Sequence, residues 1–158
     1  MDSAAKKTAL RMITYGVYVA TSRAGERVAA ATVTWLSQVS FEPPLVVVGL
    51  RKDSNLFQVV SESGTFAINL LDEGQKKIAT TFFKTPVQPS ELLSGYAFQP
   101  GQTGSPLLEE SPAYLECKVV GSLAQGDHEV VMGEVIAAGV RREAAPLELR
   151  ATGWQYGG

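Results

Sequence analysis

Short apolar runs with period-two spacing alternate with glycine- and proline-containing turns along most of the chain. The run ITYGVYVATS (residues 13–22) alternates apolar and polar positions and is predicted to be a strand. Its inward face would carry Ile13, Tyr15, Val17 and Val19. A turn at RAGE leads to a predicted return strand over Val28–Ser37. Together these features predict a β-hairpin.

Two prolines, Pro43 and Pro44, interrupt the pattern, because proline cannot donate to a strand ladder. They precede an apolar strand, Leu45–Leu50. In the RKDSN turn that follows, the side chain of Asp53 or Ser54 can cap a helix. That helix would bury Leu56, Val59 and Val60 and would end at Gly64.

The second half of the chain continues with strands and one more helix. The pattern predicts a strand over Thr65–Leu71, a helix over 72–83 capped by Asp72, and a long irregular excursion over 84–106. A hairpin around AQGDH and a short strand at PLELR follow, and residues 4–12 suit a short first helix. We expect a mainly β fold in one domain (1–158), a closed antiparallel barrel of the split, Greek-key type with a few short helices.

Composition narrows the function classes. A net charge of −2 without a basic stripe argues against nucleic-acid binding, and no apolar run is long enough for a membrane-spanning helix. The first residues lack the apolar core of a signal peptide, so we expect a cytoplasmic protein. One cysteine and one histidine leave no metal-ligand pattern, and no Rossmann, P-loop or nucleophile-elbow motif occurs. An enzyme of this composition would depend on an organic cofactor.

Two neighbouring stretches carry candidate binding residues. The RKDSN turn offers a helix N-terminus with Lys52, Ser54 and Asn55, which suits a phosphate, although taken alone it is more typical of an ordinary capped surface helix. The strand before Pro43 is rich in hydrogen-bonding side chains that could hold a flat ring or simply face water. These are Thr32, Thr34, Trp35, Ser37 and Ser40.

Three further residues are candidates, and the first two have both a functional and an ordinary interpretation. His128, in the GDH turn, could donate a hydrogen bond to a ligand or be a surface histidine. Lys84 could pair with an anion or be a solvated lysine at a helix end. Cys117 alternates with Leu115 and Val119, so we expect it in the core.

Taken together, ordered motifs from Tyr15 to Arg150 resemble the flavin reductase-like, FMN-binding split-barrel family. They are GVYVATS, TVTWLSQVSFEPPLVVVGL, KDSN, SGTFAINLL, FFK, GSPLLEESPAYLECKVV, GDHEVVMGEV and PLELR. The resemblance implies a homodimer that binds FMN, with FAD as the alternative, near the subunit interface. NADH or NADPH would be the co-substrate, and a monooxygenase or a small redox protein is the candidate partner.

The resemblance also assigns roles to residues. The isoalloxazine ring would lie along Thr34, Trp35, Leu36 and Ser37, with Thr32 nearby. The ribityl phosphate would be held by Ser40, Arg51, Lys52, Asp53, Ser54, Asn55 and Lys84. His128 would lie beside the nicotinamide and is the candidate catalytic residue.

Three functions follow as hypotheses. The first is NAD(P)H:flavin reductase, in which a hydride passes from the nicotinamide to bound flavin. The second is an electron-transfer flavoprotein reduced by a small redox protein such as rubredoxin, because Trp35 and VSFEPP resemble flavin reductase modules that accompany rubredoxin or diiron flavoproteins. The third is a non-catalytic split-barrel module that binds haem or another ligand.

Overall fold

A computed structural model of the protein describes residues 1–84 and 91–158. Its helices are α1 Ser3–Arg11, α2 Asn55–Ser63, α3 Lys76–Thr81 and α4 Leu149–Thr152. Its strands are β1 Tyr18–Ala24, β2 Arg27–Val33, β3 Leu36–Ser40, β4 Leu45–Arg51, β5 Thr65–Leu70, β6 Leu92–Leu93, β7 Tyr96–Pro100, β8 Pro106–Leu108, β9 Ala113–Leu123 and β10 His128–Val140.

The larger sheet is antiparallel and runs in the order β2-β1-β5-β9-β10-β4-β3. β2 and β3 follow each other in the chain but lie at opposite ends of this order. Within the described residues no ladder joins them, so the expected closed barrel is wrong in that respect and the barrel is split. The predicted mainly β, antiparallel split-barrel class is confirmed.

The helix α2 forms as the sequence predicts, and it covers one end of the core. Ser54 caps it by accepting a hydrogen bond from the Phe57 amide at 3.1 Å, and Gly64 ends it at φ 68°. Its inward stripe is Leu56, Val59 and Val60, all buried. Burial of side chains of this size stabilises the fold by about 1.5–3 kcal/mol each.

Tertiary contacts change the first hairpin. The first strand begins at Tyr18 and not at residue 13, and Ile13 is half exposed. The return strand stops at Val33, because the Trp35 carbonyl accepts a hydrogen bond from the Gly49 amide at 2.8 Å. The Trp35 ring lies against Gly49, where an added Cβ would come within 3.1 Å of it. Residues from Leu36 therefore pair with β4 instead of continuing along β1.

Three later expectations also need correction. The second helix begins at Lys76, because Asp72 accepts a hydrogen bond from the Gly74 amide in a separate turn and does not cap it. Residues 91–106 are not irregular throughout, since β6, β7 and β8 form a second small sheet; residues 85–90 lie outside the described part. PLELR (residues 146–150) is not a continuous strand: it makes isolated bridges to two different segments, and α4 begins within it at Leu149.

The predicted core position of Cys117 is confirmed, and it yields the first testable prediction. Burial, reinforced by the charge of Glu116, raises the pKa of the Cys117 thiol to about 12. Because the thiolate is the reactive form, we expect iodoacetamide at pH 8 to label the folded protein about a thousandfold more slowly than an exposed cysteine. The same reaction in concentrated guanidinium chloride should be fast, and rapid labelling of the folded protein would contradict the buried position.

Candidate active site

A cleft of about 700 Å3 opens where the end of β2, the start of α2 and the start of β10 meet. This volume lies within the range of about 300–1,000 Å3 that is typical of cofactor sites. The sequence candidates that line it are Thr32, Thr34, Trp35, Arg51, Asp53, Ser54, Asn55, Lys84 and His128. The candidates that lie outside its lining are Leu36, Ser37, Ser40 and Lys52. Most of the residues predicted from two separate stretches and one distant turn are therefore brought to one surface.

Two side chains on the cleft wall bury polar atoms that have no hydrogen-bond partner among residues 1–84 and 91–158. They are the Thr34 hydroxyl and the indole N–H of Trp35. An unsatisfied buried polar group costs about 1–3 kcal/mol, so such pairs are usually completed by a ligand or by water. A planar ligand with hydrogen-bonding atoms at its edge fits this wall. Thr32 differs, because its hydroxyl already donates to the Ala79 carbonyl at 2.6 Å.

At the other end of the cleft is the N-terminus of α2. The Ser54 hydroxyl satisfies the Phe57 amide and donates to the Arg51 carbonyl at 2.7 Å, which fixes the turn. Amides in the first turn of a helix have no partner within that helix, and the helix dipole favours an anion there. The residues at this end of the cleft therefore suit a phosphate group.

Arg51 contributes less positive charge to this end than the sequence suggests. Its guanidinium donates two hydrogen bonds to the Asp53 carboxylate, at 3.0 and 2.6 Å. This pairing holds the pKa of Asp53 below its ordinary value. An incoming phosphate would share Arg51 with Asp53, so the helix amides and Lys84 would matter more for binding.

His128 is the first residue of β10, and both of its ring nitrogens have hydrogen-bond partners. Its Nδ1 lies 2.8 Å from an Asp127 carboxylate oxygen, and its Nε2 lies 2.8 Å from the Tyr156 hydroxyl. The hydrogen bond from His128 lowers the pKa of Asp127, so that carboxylate can only accept. Nδ1 must then carry the proton, and in neutral imidazole Nε2 is an acceptor. The donor role expected for His128 toward a ligand thus requires the imidazolium form.

Tyr156 is a cleft residue that the sequence reasoning missed. Burial raises the pKa of its phenol and outweighs the opposing charge of Arg51, with smaller increases from Asp127 and Asp53. Its O–H therefore remains protonated and can donate to His128 Nε2. Its ring centroid lies 5.2 Å from that of Trp35. Trp154, Gln155 and Phe83 also line the cleft. The aromatic residues of GWQYGG were the one feature of the sequence that could have indicated this contact, but nothing in their local pattern connects them to His128.

Other kinds of site find little support in the described residues. No cluster of three or more His, Cys, Asp or Glu side chains in them could hold a metal ion. None of the helices in residues 1–84 and 91–158 has the length and apolarity needed to cross a bilayer.

Comparison with known proteins gives the family. Residues 10–156 match the family model described as flavin reductase like domain. Diflavin flavoprotein A 1 from Synechocystis is 33% identical over 136 residues, which cover 85% of this chain but 24% of that protein. This chain therefore spans about a quarter of that relative's length.

Two solved structures share the fold along most of their length. The flavin reductase of styrene monooxygenase from Pseudomonas putida has a TM-score of 0.77 and 28% identity, with 96% of this chain and 94% of that chain covered. An NADH:FAD oxidoreductase from Streptomyces globisporus, in complex with NAD and FAD fragments, has a TM-score of 0.74 and 32% identity, with 83% and 79% covered. The family match over most of the chain and these structures together show that the chain belongs to the flavin reductase-like domain family.

Proposed function

We propose that the protein is an NAD(P)H:flavin oxidoreductase that transfers a hydride from a reduced nicotinamide to bound flavin. The observation that carries the proposal is the convergence in one cleft of three parts. These are a wall with unpartnered polar atoms at Thr34 and Trp35, a helix N-terminus at Ser54 and Asn55, and an imidazole at His128. A flavin nucleotide needs a ring surface and a phosphate site at opposite ends, and this cleft offers both.

When bound, the flavin supplies the two-electron acceptor for the hydride. The task of the protein is then binding and orientation, which can contribute several kcal/mol to lowering a barrier. Thr34 and Trp35 would hydrogen-bond the ring edge, and the first turn of α2 with Lys84 would hold the phosphate. His128 Nε2, fixed in direction by Asp127, would meet the carboxamide of the nicotinamide.

We propose FMN as the flavin, with FAD as the alternative because one related structure contains FAD fragments. Either NADH or NADPH can serve as the donor in this proposal. A homodimer is also proposed, supported by apolar side chains in contact with water near one end of the sheet: Val39, Phe41 and Val130 are 50%, 90% and 41% exposed. The relationship to the reductase of styrene monooxygenase supports a monooxygenase as the partner. The reduced, buried Cys117 suits the proposed cytoplasmic location.

Anaerobic titration tests the reaction. Protein saturated with FMN is mixed with NADH or with NADPH, and absorbance is followed at roughly 450 nm, the flavin band. We expect rapid bleaching with at least one of the two nucleotides. Free FMN at the same concentration is the control. A protein that binds FMN but is bleached by neither nucleotide would contradict the reductase.

A second candidate is electron transfer, in which the flavin is reduced by a small redox protein such as rubredoxin. The similarity to diflavin flavoprotein A 1 favours it, because the name of that relative describes a protein with two flavins, of which this kind of domain covers 24%. Bleaching by reduced rubredoxin without bleaching by NAD(P)H would support this candidate. A colourless protein that ignores added FMN would instead favour a ligand-binding module without turnover.

A further inference from the structure

The last residues of the chain, Trp154–Gly158, lie along the mouth of the cleft, and we refer to them as the strap. Neither a helix nor a strand includes any of them. Trp154, Gln155 and Tyr156 all contribute to the cleft lining. The strap therefore covers the site through side-chain contacts and not through a backbone ladder.

Contacts hold the strap at both ends. At one end, the Trp154 ring packs edge-on against Phe83, with centroids 4.8 Å apart, and Lys76 lies 5.1 Å from its centroid. At the other end, Arg11 of α1 donates to the Gly157 carbonyl at 3.4 Å. Gly157 also passes close to Trp35, where an added Cβ would lie 3.2 Å from the ring. The position of the strap is thus set by residues distant in sequence.

At its centre, the strap contacts the two residues to which the proposed function assigns ring binding, Trp35 and His128. Tyr156 donates its hydroxyl to His128 Nε2, the atom proposed to meet the nicotinamide. Its ring packs against Trp35, whose centroid is also 4.5 Å from that of His128. A flat ring stacked on Trp35 and hydrogen-bonded to His128 would need the same space and the same acceptor.

These contacts are weak enough to break. Tyr156 is 42% exposed, so solvent already reaches part of it. One neutral hydrogen bond and two ring contacts, with Trp35 and with His128, make up the central attachment, and each is individually a modest interaction.

We propose that the strap is a displaceable cover: Tyr156 acts as an internal competitor for the planar ring of a nucleotide cofactor at Trp35 and His128. This inference rests on the proposed function. The flat ring could belong to the flavin or to the nicotinamide, and the two arms of the experiment distinguish them. The apparent affinity for the ligand is proportional to the fraction of protein in which the strap is open.

The test is Tyr156→Phe, which removes the hydrogen bond to His128 and keeps a ring. Dissociation constants are measured by titration for FMN on the flavin-free protein, and for NAD+ and NADP+ on the FMN-loaded protein. We expect about threefold to tenfold tighter binding in at least one arm. Arg11→Ala, which loosens the strap outside the cleft, should shift the same arm in the same direction. Tyr114→Phe removes a phenol hydroxyl away from the cleft and should change neither arm.

The chain has one histidine, so nitrogen NMR of its imidazole reports on His128 directly, without any assignment. Tyr156→Phe should shift the Nε2 resonance of the ligand-free protein, because that nitrogen loses its donor. In the wild type, the ligand whose affinity rises in the variant should displace Tyr156 and shift the same resonance. The hydrogen bond of Nδ1 to Asp127 should remain unchanged in both cases.

Two outcomes would contradict the proposal that Tyr156 competes with the ligand. Unchanged affinities in both arms would show that it does not compete, and weaker binding would show that Tyr156 helps to hold the ligand. Failure of the proposed function gives a different result: wild-type protein that binds FMN but is bleached by neither NADH nor NADPH. In that event the FMN arm and the Nε2 resonance still decide whether Tyr156 competes with a flat ring.

Discussion

Replacement of His128 by alanine is expected to lower kcat/KM for NAD(P)H by about tenfold, the equivalent of one hydrogen bond of about 1.4 kcal/mol. In a Tyr156→Phe background, where the strap has already lost its hydrogen bond to His128, the dissociation constant of FMN should change by less than about threefold, since the proposed flavin contacts lie on Thr34, Trp35 and α2 and not on β10. Steady-state kinetics with both nucleotides give kcat/KM, and an FMN titration gives the dissociation constant.

The variant also releases the strap, because His128 Nε2 accepts from Tyr156. Its effect should therefore be measured a second time in a Tyr156→Phe background, where that contribution is already absent. His128→Gln is the matched control: its side-chain amide reaches a similar position and should restore part of the lost kcat/KM. If kcat and KM for both nucleotides are unchanged in His128→Ala, the residue has no role toward the hydride donor.

The largest effect on stability is expected for Phe66→Ala. Phe66, on β5, is 1% exposed. Its ring packs so closely against Gly133 of β10 that a Cβ added to this glycine would lie 2.6 Å from the ring. Removing the ring would leave a cavity at the centre of the sheet, and the free energy of unfolding should fall by about 3–5 kcal/mol. Chemical denaturation followed by circular dichroism measures the change.

Phe41→Ala provides the same chemical change at a residue that is 90% exposed in the single chain. It should alter the free energy of unfolding by less than about 0.5 kcal/mol. A larger loss that depends on protein concentration would indicate that a second copy covers Phe41, as the proposed homodimer suggests. A loss below about 1 kcal/mol for Phe66→Ala would mean that the core at β5 is packed differently.

Features that depend on neighbouring residues in the chain were predictable. The α2 helix follows from a capping serine, an apolar stripe and a glycine at φ 68°, which are all local. The hairpin of β9 and β10 and the buried Cys117 follow from alternation of apolar positions. Burial patterns of this kind depend on the spacing of apolar residues along the chain, so the sequence alone predicts them.

The break at Trp35 was not predictable from the same pattern. The run from Val28 to Ser37 is predicted as one strand, because it contains no glycine or proline that would interrupt it. Only the Gly49 amide, on another strand, and the contact of the Trp35 ring with that glycine separate β2 from β3. This break splits the barrel and places Trp35 on the cleft wall.

The sequence by itself determined the β-rich character of the chain, the capped α2 turn and the candidate residues on either side of Pro43 and Pro44. Only the tertiary structure decided that Tyr156 meets His128 and that Leu36, Ser37 and Ser40 lie outside the lining of the cleft. The physical reason is the separation along the chain between the residues that interact. Caps and alternation act over a few residues, whereas the last residues of the chain reach the cleft through contacts with α1, α3 and β10 that no local pattern encodes.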